Sequence, residues 1–424
     1  MQVKEAAAAA RQASYALARL SDEQRCAALK GMAEALKRRA ADIFAANRQD
    51  LTKAEEEKLA GPLLKRLKFD EKKLSDVCDG LSSLGKLPDL LGKVTLKREL
   101  SPGLDLYRVS CPIGVIGVVF ESRPDALVQI ASLCVKSGNA VLLKGGREAL
   151  LTNRALMEAL TEGTKGILPD GWGTLLETRE DVNSMLSEDR SIDLIIPRGS
   201  NAFVRYIMDH TNIPVMGHAD GICHTYVDAS ADIGMAVRVV VDAKTQALAV
   251  CNATETLLVH KDIAPAFLPA CAAALREKGV EIRGDQAVRG IIDCKEATEA
   301  DWETEYLDAI LSIKIVDSVE EAVTHINRYG SHHTDAIITS DEQAKQAFLT
   351  GVDSAGVYVN CSTRFADGYR YGFGAEVGIS TGKLHARGPV GIEGLCTYKY
   401  QLLGSGQTVE DAAEGKLKYT HRDL

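Results

Sequence analysis

The chain has 424 residues and no excess of positive charge: 50 Lys and Arg stand against 59 Asp and Glu, a formal net charge of −9. A dedicated nucleic-acid binder carries a basic surplus, so that class is excluded. Closely spaced cysteines are also missing. The ten thiols, at 26, 78, 111, 134, 223, 251, 271, 294, 361 and 396, are never closer than 20 residues. No CxxC, zinc-ribbon or thioredoxin-like spacing exists, and scattered thiols in a chain of this size read as reduced cysteines of a cytoplasmic protein without a metal. Long apolar runs are absent too. Uncharged runs such as Val109 to Phe120 are too short for a bilayer, and the alanines ahead of Arg11 are too few for a secretory segment. There is no repeat of fixed short period. Two nucleotide motifs fail on spacing. Gly372-Phe-Gly374 is followed by glycine at 378 rather than 377, and Gly378-Ile-Ser-Thr-Gly382-Lys383-Leu384 lacks both the P-loop spacing and its Ser/Thr.

What is present is alternation. The first 50 residues read as two helices, the second opened by a capping box at Ser21 and Gln24, with more helix to about residue 84. Residues 94–100 and 104–109 alternate around Ser101-Pro102-Gly103, a β-hairpin signal. From 111 to 247, short apolar strands alternate with helices: 114–120, 140–144, 173–177, 192–196, 215–217 and 223–227. A second set follows Cys251, with strands at 256–260, 310–316, 335–339 and 356–360. This is the pattern of parallel α/β sheets, which bind ligands at the carboxyl ends of their strands. Residues 395–403 read as one more, exposed-edge strand.

Two loops fit anion binding. Lys144-Gly145-Gly146-Arg147 follows the strand 140–143 and opens a helix, and Arg198-Gly199-Ser200 follows a later one. Either alone is equally ordinary turn chemistry. Cys251, in Gln246-Ala-Leu-Ala-Val-Cys251-Asn252, stands at the junction of the two α/β sets, where clefts lie. Spacing alone leaves it either a core thiol or a reactive one. His332 and His333 are adjacent, share no face, and are not read as a zinc pair.

These segments, in order over nearly the whole chain, resemble the aldehyde dehydrogenase superfamily, and within it the branch that reduces acyl phosphates. The residues that carry the resemblance are Pro112-Ile-Gly-Val-Ile-Gly-Val-Val-Phe-Glu-Ser-Arg-Pro124, the Lys144 loop, Pro197-Arg-Gly-Ser200, the Cys251 segment, the run from Val319 to Ile337, Gly372 to Gly382 and Gly388 to Gly394. The resemblance implies a Rossmann-like cofactor domain (1–93 and 111–247), an α/β catalytic domain (248–394) and a hairpin oligomerisation flap (94–110 and 395–424). It implies Cys251 as nucleophile, because hydride must be delivered to a thioester, with Asn252 and Ser122 in the catalytic set. Ser122 stands where the family's oxyanion-holding Asn would be, so Ser122 or a neighbouring amide is the second donor. The segment Val215-Met-Gly217-His218-Ala219-Asp220-Gly221 lacks the Glu with which hydrolytic members activate water; His218 or Asp220 is left as base, substrate contact or structural residue.

By the same resemblance, Lys144, Gly145, Gly146, Arg147, Gly199, Ser200 and Glu305 hold the cofactor. Arg147 stands where NAD-preferring members carry Glu, which favours NADPH. Arg123 and Arg198 ease phosphate departure, and Arg364 anchors the substrate's α-carboxylate. The implied reaction is NADPH-dependent reduction of L-glutamyl 5-phosphate to L-glutamate 5-semialdehyde, a step of proline biosynthesis. A homo-oligomer is implied, with glutamate 5-kinase as the partner that supplies the substrate. The alternatives are a hydrolytic aldehyde dehydrogenase and a non-catalytic scaffold for that kinase.

Overall fold

Helices dominate the start of the chain because their buried faces are lined with small and aliphatic side chains. In the computed structural model, which describes residues 2–121, 123–178, 180–374 and 376–424, they are α1 (Val3–Leu17), α2 (Asp22–Arg38), α3 (Ala40–Glu56), α4 (Gly61–Leu67) and α5 (Glu71–Gly85). The capping box opens α2: Ser21 N donates to Gln24 Oε1 at 2.9 Å, and Gln24 N donates to Ser21 Oγ at 3.3 Å. Ala28, Leu29, Met32, Ala35 and Leu36 then form its buried stripe. Three helices rather than two occupy the first part of the chain, because Arg39 breaks the backbone between α2 and α3 without any Gly or Pro to mark it.

The hairpin β1 (Val94–Ser101) and β2 (Leu104–Pro112) follows, and then β3 (Val115–Phe120), α6 (Pro124–Lys136), β4 (Ala140–Lys144), α7 (Leu150–Thr164), β5 (Gly173–Leu176), α8 (Glu180–Leu186), β6 (Leu194–Arg198) and α9 (Asn201–Asp209). Strands β3 to β6 form a parallel sheet of order β5-β4-β3-β6. Every residue of β3 and β4 is buried, as a sheet covered on both faces requires. The order reverses beside β3, so a topological switch point lies at the carboxyl ends of β3 and β6. The strand expected at 215–217 is a single bridge, Ile195 to Val215.

The chain divides into two compact units, and the crossing falls between Met216 and Gly217. It comes earlier than the boundary expected at 247/248, because β7 (Cys223–Val227) pairs with the strands that follow it and not with those before. The second unit runs through β7, α10 (Ile233–Thr245), β8 (Thr254–His260), α11 (Ala264–Glu277), β9 (Glu281–Gly284), α12 (Gln286–Arg289), β10 (Lys295–Glu296), β11 (Ile310–Val316), α13 (Val319–Tyr329), β12 (Thr334–Ile338), α14 (Glu342–Gly351) and β13 (Gly356–Val359). Its sheet has the order β10-β9-β11-β8-β7-β12-β13, and all the pairings are parallel. Two strands at one end of this sheet, β9 and the edge strand β10, were not expected. They are short and carry Glu281, Arg283, Lys295 and Glu296, so no apolar run announces them.

After the short strands β14 (Gly378–Ser380) and β15 (Gly388–Val390), the chain ends in β16 (Cys396–Leu403), α15 (Val409–Ala413) and β17 (Arg422–Asp423). β16 pairs with β2, and β17 with β1, giving an antiparallel sheet of order β16-β2-β1-β17 within the first unit. Along β16, Tyr398, Tyr400 and Leu402 share one face and are 53%, 58% and 53% exposed. No helix is long and apolar enough to cross a membrane among the described residues.

Candidate active site

Three neighbouring strands of the second sheet, β8, β7 and β12, each begin just after a loop that carries a reactive side chain. Cys251 precedes β8, His218 lies in the segment leading to β7, and His333 immediately precedes β12. Their ligating atoms (Sγ and one ring nitrogen each) lie within 4.8 Å of one another. This cluster stands at the amino ends of the strands, not at the carboxyl ends that the general rule for parallel sheets suggests.

The two imidazoles are oriented from behind. His218 Nδ1 meets the carbonyl of Ile379 at 2.8 Å. A carbonyl only accepts, so Nδ1 carries the proton and, in the neutral ring, Nε2 is the basic atom. His333 is fully buried. Its Nδ1 lies 2.9 Å from Thr334 Oγ1 and 3.7 Å from Cys223 Sγ, while its Nε2 has no hydrogen-bond partner. Burial, reinforced by the nearby His218, pushes His333 well below the usual histidine range, so the ring is neutral at pH 7. The two rings meet edge to face, with centroids 4.9 Å apart.

The backbone of Cys251 is fixed independently. Cys223 is fully buried, and burial pushes its thiol well above the ordinary range. It therefore stays protonated and donates to the Cys251 carbonyl at 3.2 Å. Gly221 packs directly on the nucleophile's backbone: a Cβ there would lie 2.4 Å from Cys251 Cα and 2.2 Å from its carbonyl oxygen. Asn252 is buried. Its Nδ2 donates to Ala366 O at 2.8 Å, and its own carbonyl accepts from Thr363 Oγ1 at 2.7 Å. The Asn252 side chain is thus a positioning group that ties the cysteine turn to the segment after β13.

Arg364 belongs to that segment and is 9% exposed. Its Nε donates to Gln246 Oε1 at 2.9 Å, and no carboxylate pairs with it among the described residues. Burial lowers its pKa, and Cys251 is among the groups whose charge acts on it in the opposite sense. A buried guanidinium without a counter-ion suits an anionic ligand. Glu305 stands apart from this cluster, half-buried and in electrostatic contact with the buried pair Lys244–Glu255. In that pair Nζ and Oε2 are 2.5 Å apart, and burial raises Glu255 to about 7. His332 is turned away from its neighbour, with Nδ1 on the carbonyl of Asp353 at 2.6 Å.

In the first unit, residues expected for the cofactor and for the substrate's phosphate gather at the carboxyl edge of β4, β3 and β6. Lys144 ends β4, Arg123 follows β3, and Arg198, Gly199 and Ser200 end β6 and lead into α9. Ser122 lies outside the described residues. Lys144 is buried; its Nζ donates to Gly145 O, no carboxylate pairs with it among the described residues, and burial lowers its pKa. Gly146 lies under Glu148, whose Oε1 would be 2.0 Å from a Cβ placed there. The Arg147 side chain is 86% exposed and 3.6 Å from Glu57. The Ser200 amide donates to the Glu121 carboxylate, whose pKa burial nonetheless raises.

Sequence reasoning did not connect His333, Cys223, Gly221 or Thr363 to Cys251. They sit on strands or loops far apart in the chain, and only the strand order brings them together.

Residues 1–291 match the model of the aldehyde dehydrogenase family. The chain is 59% identical over 425 aligned residues to the gamma-glutamyl phosphate reductase of Acetivibrio thermocellus, covering 100% of this chain and 99% of that one. Among solved structures, the gamma-glutamyl phosphate reductase of Thermotoga maritima superposes with a TM-score of 0.94 at 40% identity, covering 96% of this chain and 100% of that one. An engineered glycolyl-CoA reductase with bound NADP+ shares the fold alone, with a TM-score of 0.64 at 14% identity, over 95% of this chain and 96% of the other.

Proposed function

The chain belongs to the aldehyde dehydrogenase family and, within it, to the gamma-glutamyl phosphate reductases, and on that premise we propose that it reduces L-glutamyl 5-phosphate to L-glutamate 5-semialdehyde with NADPH through a thioester on Cys251. The observation that carries the mechanism is the thiol grouped with two imidazoles on a backbone pinned by Cys223 and Gly221.

A free thiol is only a few per cent thiolate at pH 7, so it needs a base. His218 Nε2 is the basic atom of its ring and takes the Cys251 proton, directly or through one water. The thiolate attacks the acyl carbon; the C–O bond to phosphate breaks, and phosphate leaves with the proton. Arg123 and Arg198 are assigned to the phosphate and Arg364 to the substrate's α-carboxylate. The amide of Cys251 is assigned to the oxyanion, a contact worth about 3 kcal/mol of barrier; Ser122, the other donor that the resemblance implies, lies outside the described residues. Nicotinamide, when bound, supplies the hydride that converts the acyl group to the aldehyde level. Cys251 then leaves as thiolate and recovers a proton from solvent through His218.

The first unit fits such a cofactor. Lys144 is a buried ammonium with no salt-bridged carboxylate among the described residues, suited to ribose hydroxyls, and Arg147 is exposed and weakly engaged at 3.6 Å from Glu57, suited to a 2′-phosphate. Glu305 is kept as a contact to the nicotinamide ribose. The flap sheet, with its exposed Tyr398, Tyr400 and Leu402, supports a homo-oligomer. Ten unbridged cysteines fit the reducing cytoplasm.

The test runs the reaction backwards. NADP+ reduction by the semialdehyde should require phosphate or arsenate, because no Glu occupies the segment 215–221 to activate water. Oxidation at full rate without either anion would establish the hydrolytic alternative instead.

A further inference from the structure

The grouping of Cys251, His218 and His333 does more than prepare a nucleophile. We propose that these three side chains form a binding site for a thiophilic divalent cation, zinc by donor set, and that the bound ion holds the enzyme inactive.

Three features carry this. The donor set is one sulfur and two imidazole nitrogens within 4.8 Å of one another. Zinc bonds of 2.0–2.3 Å at tetrahedral angles place ligands roughly 3.3–3.8 Å apart, so closure needs shifts of roughly 1 Å. Next, His333 Nε2 is a polar atom on a fully buried side chain without a hydrogen-bond partner. Leaving such an atom unsatisfied costs about 1–3 kcal/mol, and a cation that the ring ligates through Nε2 would satisfy it. Finally, both rings carry the outer contacts that orient metal-binding histidines. His218 donates Nδ1–H to the Ile379 carbonyl at 2.8 Å, and His333 Nδ1 lies 2.9 Å from the Thr334 hydroxyl. The carbonyl contact directs His218 Nε2 to the ligating role, and the Thr334 hydroxyl does the same for His333 when it accepts from Nδ1–H. The fourth position falls to water. On binding, the Sγ–H bond breaks, an Sγ–Zn bond forms and the proton passes to solvent; no electron changes hands.

The ion and the acyl group compete for the same sulfur. The inhibition therefore rests on the reading of Cys251 as nucleophile, whereas the binding does not. The experiment separates them by titrating the full-length, chelator-treated protein with Co2+ as a spectroscopic probe and with Zn2+ by calorimetry, without substrate. One equivalent should bind, with a thiolate-to-cobalt charge-transfer band and the intense visible bands of a four-coordinate ion. Cys251→Ser should lose the charge-transfer band. His333→Gln and His218→Gln should each weaken Zn2+ binding by at least about 100-fold, the upper end of what an outer partner alone costs. Thermal melts of each variant report whether it folds. Reductase activity should fall with the same Zn2+ titration and return with chelator. Cobalt bound without a thiolate band, or equal Zn2+ affinity in the wild type and a folded His218→Gln variant, would overturn the proposal. If binding is confirmed but Zn2+ leaves turnover intact, the metal site stands and the inhibitory role, together with the reading of Cys251, fails.

Discussion

At the scale of single residues, the site depends on which charged groups are left without partners. Arg147 and Lys144 differ in this respect although they lie three positions apart. Lys144 is buried and shaped by its own loop, whereas Arg147 projects into solvent beside Glu57. If Arg147 holds the 2′-phosphate, Arg147→Ala should lower kcat/KM for NADPH by about 10–100-fold, the range expected for one charge-assisted contact, and leave NADH within about twofold. Steady-state kinetics with both cofactors check this, and an equal loss with each would assign Arg147 to folding or general binding. Lys144 and Arg147 stood out in the sequence by the Gly-Gly between them, whereas spacing left Cys251 either a core thiol or a reactive one, and only the family resemblance singled it out. His333 was not legible as a partner of Cys251. Its chain neighbour is His332, and what separates their directions is the backbone: His332 lies at φ +59° with its ring on Asp353.

At the scale of elements, the strand order does the assembling. Periodicity finds β3, β4, β7, β8, β11 and β12 within a residue or two; β3 and β4 are near-continuous apolar runs, as strands covered on both faces are. It misses β9 and β10, which are polar and short, and it assigns β7 to the wrong sheet, because periodicity records no pairing. That assignment matters: with β7 between β8 and β12, the loops bearing Cys251, His218 and His333 become neighbours. Gly221, at the start of this arrangement, has no room for a side chain against Cys251. Gly221→Ala should cost about 1–3 kcal/mol of stability through overpacking and on the order of 100-fold in kcat through displacement of the sulfur. Denaturant melts and turnover measured on the same preparation check both; full activity in the variant would show that the contact is slack.

At the scale of the whole molecule, two α/β units and one antiparallel sheet divide the work. The antiparallel sheet is assembled from residues 94–112 and 396–423; alternation indicated its hairpin and late strand, the family resemblance joined the two segments, and β17 lies in a polar tail with no sequence signal. Its β16 face leaves Tyr398, Tyr400 and Leu402 in solvent, with Arg108 stacked 5.2 Å over the Tyr398 ring. Large exposed apolar groups on an edge strand mark an association surface. Tyr400→Asp combined with Leu402→Asp should therefore shift the protein to a smaller species in sedimentation equilibrium; an unchanged mass would place the interface elsewhere.

The net charge of −9 takes on meaning at this scale as well. An acidic protein that acts on an acyl phosphate must concentrate cations locally, and buried Lys144 and Arg364, neither paired with a carboxylate among the described residues, are the groups we propose for this. All of this serves one sulfur. The most direct test replaces it: Cys251→Ala, assayed for semialdehyde- and phosphate-dependent NADP+ reduction, with NADPH binding measured in parallel by fluorescence titration. The account predicts a loss of at least about 1,000-fold in kcat with NADPH binding retained. Turnover within about tenfold of the wild type would contradict it.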